Sequence, residues 1–148
     1  MRQCWIGTVS KEHVQRGQAG GFAQVCHGKL GPLKRMKPGD FLIYYSPNKQ
    51  FGEKTPYQCF SALGVIQEGE PYAVKMSEDF IPYRINVQYL NTQDTPIRPL
   101  LPQLSFIKDK TKWGAAFRFG ILKIPCEDFK IIATAMGITN EEINELWL

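Results

Sequence analysis

Short runs of β-branched and apolar residues, separated by turn residues, recur along the whole chain. Cys4–Val9 (CWIGTV) and Phe41–Ser46 (FLIYYS) are nearly continuous apolar runs, and the second ends at a proline, which is typical of buried strands. Three further strands are predicted at Tyr57–Tyr72, Tyr83–Leu90 and Phe117–Ile124. Gly64 interrupts the first of these three and predicts a bulge or kink there.

The clearest helix signals lie at the C-terminal end. Acidic residues occupy the first turn of Cys126–Met136, where they complement the helix dipole, and Gly137 stands at the C′ position. Thr139 and Glu142 have the spacing of a capping box, which predicts a last short helix over Asn140–Leu148.

Near the N-terminus, Ser10 is a predicted helix cap, and one or two helical turns should follow it and end at Gly17. Lys37–Asp40 (KPGD) predicts a turn. Segments rich in glycine or proline predict irregular structure at residues 20–33, 47–56 and 95–106.

These elements favour an α+β fold. The five or six strands are mostly consecutive, short helices lie at both ends, and no strand–helix–strand rhythm is present. We therefore expect a twisted antiparallel sheet that closes into a partial barrel with short flanking helices. The length of 148 residues predicts a single domain over residues 1–148.

Composition limits the kinds of site and the cellular compartment that we expect. The four cysteines at positions 4, 26, 59 and 126 include no C-x-x-C pair, so we expect neither a metal site nor a cofactor. The first ten residues have no long apolar core, and no run approaches the roughly 20 apolar residues of a membrane span. We therefore expect a cytoplasmic protein with reduced thiols and no membrane partner.

The charge is unevenly distributed. Residues 127–148 carry five carboxylates against Lys130, a net charge of −4, so the total of +4 leaves +8 for the first 126 residues. A basic body suits a polyanionic partner, although a solubilising surface has the same composition.

The stretch Gly20–Asp40 (GGFAQVCHGKLGPLKRMKPGD) contains the largest group of candidate functional residues. Cys26 beside His27 suggests a thiol active site, but neighbouring residues on an extended chain point to opposite faces, and no pair here has the spacing of a metal chelate. Glycines that allow close backbone approach, followed by a run of cations, instead favour the wall of a pocket for an anionic ligand.

Aromatic residues are interleaved with cations in two other places. Tyr44 and Tyr45 follow each other on a predicted strand, so one should face inward and the other outward. Trp113, Phe117 and Arg118 follow a lysine-rich run. Single-stranded or flipped-out nucleotides require this combination, because cations meet phosphates and flat rings stack on bases. A Trp113 packed in the core beside a solvated lysine run has the same pattern.

Five motifs in order resemble the EVE domain, a member of the PUA-like superfamily that includes the YTH and ASCH domains. They are WIGTVS, GGFAQVCHGKLGPLKRMKPGDFLIYYSP, ALGVIQEGEPY, PYRINVQYL and KWGAAFRFGILKI. The resemblance covers the chain from Trp5 to about Gly137. The segment MKPGDFLIYYSP is the most specific of them. The chain closely resembles the small stand-alone EVE proteins of bacteria and archaea.

The resemblance implies a PUA-like pseudo-barrel with a pocket for a modified nucleobase in DNA or RNA. Related YTH domains read N6-methyladenine in RNA, and EVE domains are associated with modified DNA bases such as 5-methylcytosine. The pocket residues implied by the resemblance are Trp5, Ser10, Gly21, Phe22, His27, Gly28, Lys29, Tyr44, Tyr45, Ser46, Trp113, Phe117 and Arg118. The expected phosphate contacts are Lys34, Arg35, Lys37 and Lys112.

One departure concerns the aromatic cage. Gly21 or Phe22 stands where relatives have a second tryptophan. Since the motifs contain no evident nucleophile and base, we expect a non-catalytic nucleic-acid-binding protein rather than an enzyme. The alternatives are a small hydrolase or transferase that uses Cys26 or His27, and a pocket protein for a free nucleoside-like ligand.

Overall fold

The computed structural model describes residues 2–147, with only the backbone of Trp147 included. The strands among these residues are β1 (Cys4–Thr8), β2 (Phe22–Ala23), β3 (Phe41–Ser46), β4 (Cys59–Ile66), β5 (Tyr72–Ala73), β6 (Tyr83–Tyr89), β7 (Thr95–Pro96) and β8 (Ile121–Ile124). The α-helices are α1 (Lys11–Gly20), α2 (Leu30–Arg35), α3 (Cys126–Ala135) and α4 (Asn140–Trp147). Short 3-10 helices cover Cys26–Gly28, Arg98–Gln103 and Lys110–Phe117.

The strands form one mixed sheet in the order β2-β6-β4-β3-β1-β8. Its pairs are antiparallel except for β1 and β3, which run parallel, so the chain between them crosses over through α1, β2 and α2. The predicted α+β class is confirmed, with this parallel pair added to an otherwise antiparallel sheet.

Both faces of the sheet are covered. On β3, Phe41, Ile43 and Tyr45 belong to a core packed under α3 and α4, whereas Leu42 and Tyr44 belong to a second core under α1 and α2. This is the alternation of side chains along a strand. A strand with two buried faces reads as a continuous apolar run, which is why its position could be predicted.

Local signals at the helix ends are also confirmed. Ser10 Oγ accepts a hydrogen bond from His13 N at 3.3 Å and caps α1, although the helix continues past Gly17 to Gly20. Thr139 and Glu142 form the capping box of α4, with Thr139 Oγ1 3.1 Å from Glu142 N. The predicted last residue of that helix, Leu148, lies outside the described residues.

Three predictions about strand detail are wrong. The strand predicted over Tyr57–Tyr72 is shorter, since β4 covers Cys59–Ile66 and Tyr72 belongs to β5. The register irregularity of the sheet falls between Tyr44 and Tyr45 of β3, and not at Gly64. Gly64 serves a different purpose: a Cβ there would lie 2.4 Å from Val87 Cγ1, so its absence allows β6 to approach β4 closely.

The last strand is shorter than predicted because the chain before it is helical. A 3-10 helix covers Lys110–Phe117, and β8 begins only at Ile121. Asp109 starts this helix, since its side chain accepts from Thr111 N at 3.0 Å. No helix within residues 2–147 has the length and apolar character needed to cross a membrane.

Candidate functional site

A cleft of about 590 Å³ opens where the end of β1 meets the start of α1. Its lining comes from residues 8–16, residues 24–29, Phe51, Met76 and Phe80 in the hairpin that joins β5 to β6, and residues 118–120. We call it the basic cleft. Thr8 N donates to Gly120 O at 2.9 Å, which fixes residues 118–120 beside β1. The volume lies within the usual range for ligand sites.

One wall of the basic cleft is built on the backbone of Gln24. The oxygen of Gln24 lies 2.8 Å from His13 Nε2 and 3.4 Å from the Tyr44 hydroxyl, which also accepts from Gln24 N at 3.2 Å. Because a carbonyl oxygen only accepts, His13 Nε2 carries a proton, and Nδ1 is an acceptor in the neutral ring. Arg84 Nε donates to Gln24 Oε1 at 3.1 Å and fixes the side chain as well.

The same wall contains a left-handed turn. The φ angles of Cys26, His27 and Gly28 are 49°, 58° and 82°. Left-handed backbone costs a residue other than glycine about 1–2 kcal/mol, and strain of this kind concentrates at binding and catalytic sites. The turn is held in place because Cys26 Sγ donates to Phe119 O at 3.6 Å.

Exposed apolar side chains surround the mouth of the basic cleft. Phe51 is 87% exposed and Phe119 is 80% exposed, while Met76 and Phe80 contribute from the hairpin opposite. Large apolar side chains so exposed, and grouped at one cleft, are typical of a binding surface. The His27 ring lies edge-on to Phe51, with 6.4 Å between ring centroids.

The cleft carries more positive than negative charge. Arg16 is paired with Glu12, with Nη2 2.6 Å from Oε1. Lys29 and Arg118 also line the cleft, and neither belongs to an ion pair within the described chain. Two exposed cations therefore remain available to an anionic ligand.

Acidification is expected to destabilise the protein through His13. Burial is the largest cause lowering the pKa of His13 below 6.5; Arg16 and Arg84 lower it further, while the Gln24 hydrogen bond raises it. The stability that depends on the neutral ring is complete above the unfolded pKa of 6.5 and is lost as pH falls through the lower folded value. The urea midpoint should therefore fall more between about pH 7 and about pH 5 in the wild type than in His13→Gln. An equal fall in both proteins would contradict this role for His13.

The geometry does not favour a cysteine nucleophile. Burial raises the pKa of Cys26, although Lys29 and Arg35 oppose the shift, and its Sγ is directed at a carbonyl oxygen. A protonated thiol without a positioned base is a weak nucleophile. In the part of the chain that the structure describes, no three histidine, cysteine or acidic side chains are grouped as a metal site would require.

Comparison with known proteins gives the family. The EVE domain family matches residues 3–135, almost the full length of the chain. The chain belongs to the EVE domain family. A UPF0310 protein of Streptococcus sanguinis is 52% identical over 142 residues, which are 93% of this chain and 96% of that protein. The "UPF0310 protein in gntR 5'region" of Bacillus licheniformis is 49% identical over 128 residues, 86% of this chain and 87% of that protein.

Solved structures confirm the PUA-like fold of this EVE domain. The YTH domain of Zygosaccharomyces rouxii MRB1, solved in complex with N6-methyladenosine RNA, superposes with a TM-score of 0.57 at 13% identity. That match covers 90% of this chain and 85% of the YTH domain. A hypothetical protein from Leishmania major gives a TM-score of 0.58 at 12% identity, covering 90% of this chain and 94% of that one.

The EVE domain brings some of the predicted site residues together at the basic cleft. Ser10, His27, Lys29 and Arg118 line it. Gly28 is buried beside them, within the left-handed turn. These residues come from three distant parts of the sequence, which the fold places around one opening.

Trp5 does not line the basic cleft. It is only 3% exposed, its Nε1 donates to Asp40 Oδ2 at 3.0 Å, and the Arg35 guanidinium lies 5.1 Å from its ring centroid. The same contact places Arg35 over Trp5, away from the lining of the cleft. The glycine–aspartate motif of the EVE domain is therefore structural here, because its carboxylate holds the tryptophan.

Four other predicted pocket residues are also structural. Tyr44 is buried behind the cleft wall, and Ser46 is buried with its Oγ 2.7 Å from Ser61 Oγ. Gly21 caps the end of α1 in a left-handed conformation. The ring of Phe22 is covered by Arg84, whose Cζ lies 3.9 Å from its centroid.

The remaining predicted aromatic residues line a second, smaller pocket of about 320 Å³, which we call the Trp113 pocket. Tyr45, Trp113 and Phe117 contribute to it together with Arg118. The prediction from sequence therefore assigned residues of two separate pockets to one. Tyr44 and Tyr45 lie on opposite faces of β3 and belong to different cores.

Three predicted phosphate contacts lie elsewhere. Lys34 and Lys37 line a separate cleft, the mixed-charge cleft, where Glu68 and Glu70 balance their charge. Lys112 lies beside Arg118 in a shallow depression next to the Trp113 pocket.

Sequence reasoning missed several residues that line the basic cleft. Phe51, Met76, Phe80 and Phe119 belong to loops or to a hairpin tip, and His13 lies on a short helix. Phe51 could have been recognised from the sequence. It is a single phenylalanine in the otherwise polar loop 47–56, which a proline bounds at each end, and an apolar residue in such a loop is exposed.

Proposed function

We propose that this EVE domain binds nucleic acid without catalysing a reaction, and that the basic cleft accepts one nucleobase that has left its stack. One observation carries the proposal: a single opening combines exposed phenylalanines with cations free of ion pairs among the described residues. Flat rings stack on any base, and the cations meet the flanking phosphates.

The polar groups near the cleft suit recognition of a base edge. Ser10, His13 and Gln24 supply a hydroxyl, an imidazole and an amide next to apolar side chains. A few fixed polar groups in an apolar pocket give orientation and specificity. The YTH domain with a similar fold was solved with N6-methyladenosine RNA, which supports a nucleobase as the ligand class.

A modified base is the preferred ligand in this proposal. A methyl group that becomes buried against Met76 or Phe80 gains about 0.8 kcal/mol, or roughly a fourfold preference. We expect the basic cleft to favour a methylated over an unmethylated base by a factor of this order.

The test is fluorescence anisotropy with labelled single-stranded pentamers. The DNA pentamers carry central 5-methylcytosine or cytosine, and the RNA pentamers carry central N6-methyladenine or adenine. Arg118→Ala should weaken binding and reduce the slope of log affinity against log salt, between about 50 and 200 mM, by about 1.

Lys34→Ala is the matched control, because it removes the same charge from the mixed-charge cleft. Equal effects of the two variants, or affinity indifferent to salt, would refute the proposal. A free nucleoside that binds as tightly as the pentamer would favour the small-ligand alternative instead.

A further inference from the structure

The Trp113 pocket is a concave aromatic surface with one open side. Tyr45 stacks on Phe117, with 4.4 Å between centroids and 27° between planes, and Trp113 meets both rings edge-on at 6.2 and 6.3 Å. Tyr45 and Phe117 are buried, whereas Trp113 is only half-buried. The cluster therefore presents part of its apolar surface to solvent instead of closing on itself.

This pocket adjoins the basic cleft. Thr8 and Arg118 line both cavities, so these two side chains are shared by the two walls. Arg118 is exposed and directly follows the 3-10 helix Lys110–Phe117. A guanidinium in this position can reach a phosphate lying between occupants of the two cavities.

The surroundings of the Trp113 pocket are positive. The Arg98 guanidinium lies 5.4 Å from the Trp113 ring centroid and is held by Gln58, which accepts from Arg98 Nε at 2.8 Å. Lys112 lies with Arg118 in the adjoining depression. Among the described residues that line the pocket, none is acidic.

We propose that the Trp113 pocket is a second base subsite. It takes the base of the nucleotide next to the one in the basic cleft, while Arg118 holds the phosphate between them. This inference rests on the proposed function. A planar base suits the pocket because it covers the exposed part of Trp113 by stacking and places its phosphate on the adjoining cations.

The subsite makes affinity depend on a neighbouring base as well as on the central one. Loss of one base–aromatic stack lowers affinity by roughly 5-fold to 150-fold. Because the pocket accepts one neighbour, the dependence should appear on one side of the central base only.

The experiment uses the pentamers described above with an abasic residue at either position flanking the central base. On the wild-type protein, an abasic residue on one flank should lower affinity at least about 5-fold, and the same change on the other flank should have a smaller effect. Trp113→Ala should lower affinity for the intact pentamer by a similar factor but should scarcely change affinity for that abasic pentamer. Trp113→Phe should restore part of the loss.

Three outcomes would overturn the subsite. If both abasic pentamers bind the wild type as tightly as the intact one, while Arg118→Ala still weakens binding more than Lys34→Ala, the subsite fails and the proposed function stands. If the effects of Trp113→Ala and of the abasic residue simply add, the base does not contact Trp113. If no pentamer binds, both proposals fail. The comparison of abasic and intact pentamers uses the wild-type protein, so it tests the subsite even if Trp113→Ala does not fold.

Discussion

Replacing Asp40 with alanine is expected to lower the free energy of unfolding by about 3–5 kcal/mol. The carboxylate is 2% exposed and accepts three hydrogen bonds, from Gln3 N at 3.0 Å, Trp5 Nε1 at 3.0 Å and Lys37 N at 2.9 Å. Alanine leaves these three donors without their acceptor, and the Trp5 hydrogen bond is buried while the other two are partly buried. Hydrogen bonds to a charged group are worth about 1.5–3 kcal/mol each and are only partly additive.

Urea denaturation followed by circular dichroism measures the loss. Asp79→Ala is the matched control, since Asp79 is exposed and its loss should change stability by no more than about 0.5 kcal/mol. A change below about 1 kcal/mol for Asp40→Ala would show that the glycine–aspartate motif does not anchor Trp5.

The second large effect is expected for Gly28→Ala, which should cost about 2–4 kcal/mol and also weaken binding of the pentamers. Gly28 has a φ of 82°, and a Cβ there would lie 2.3 Å from Pro82 Cβ and 2.8 Å from Pro82 Cα. Backbone must therefore move, because Pro82 cannot rotate away. The movement displaces Cys26 and His27, which line the basic cleft.

Gly31→Ala provides the control. A Cβ at Gly31 would meet nothing within 4 Å beyond its two chain neighbours, and the residue lies in α2 just before Pro32. This variant should differ from the wild type in stability by no more than about 1 kcal/mol, with unchanged binding, because the better helix propensity of alanine is opposed by the restriction on a residue before proline. If Gly28→Ala behaves like Gly31→Ala in both measurements, the turn does not shape the cleft.

The elements that could be predicted are those whose signals are local. The continuous apolar run of β3 reports a strand buried on both faces, and Ser10 caps the helix that follows it in sequence. The 3-10 helix before β8 could not be predicted as readily. The sequence of Phe117–Ile124 is typical of a strand, but Asp109 caps a helix over the preceding segment, and that helix includes Phe117.

The candidate site was predictable only in part, for a related reason. Trp5 is a residue type that often lines a ligand pocket. Here its indole N–H donates to the carboxylate of Asp40, which is distant in sequence, and this hydrogen bond is buried. Phe119 is a residue type that usually packs in the core. Here it is exposed at the basic cleft, where β8, α1 and residues 24–29 meet. Whether an aromatic ring is core or binding surface depends on contacts between distant segments, which the local sequence does not encode.

The most direct test of nucleic-acid binding in the basic cleft is a titration of the 15N-labelled protein with the methylated pentamers, followed by amide chemical shifts. The largest shifts should fall on Thr8, Gln24, His27, Phe119 and Gly120, which surround the basic cleft. Shifts confined to the mixed-charge cleft, around Lys34 and Glu70, or the absence of any shift at saturating pentamer, would contradict the account.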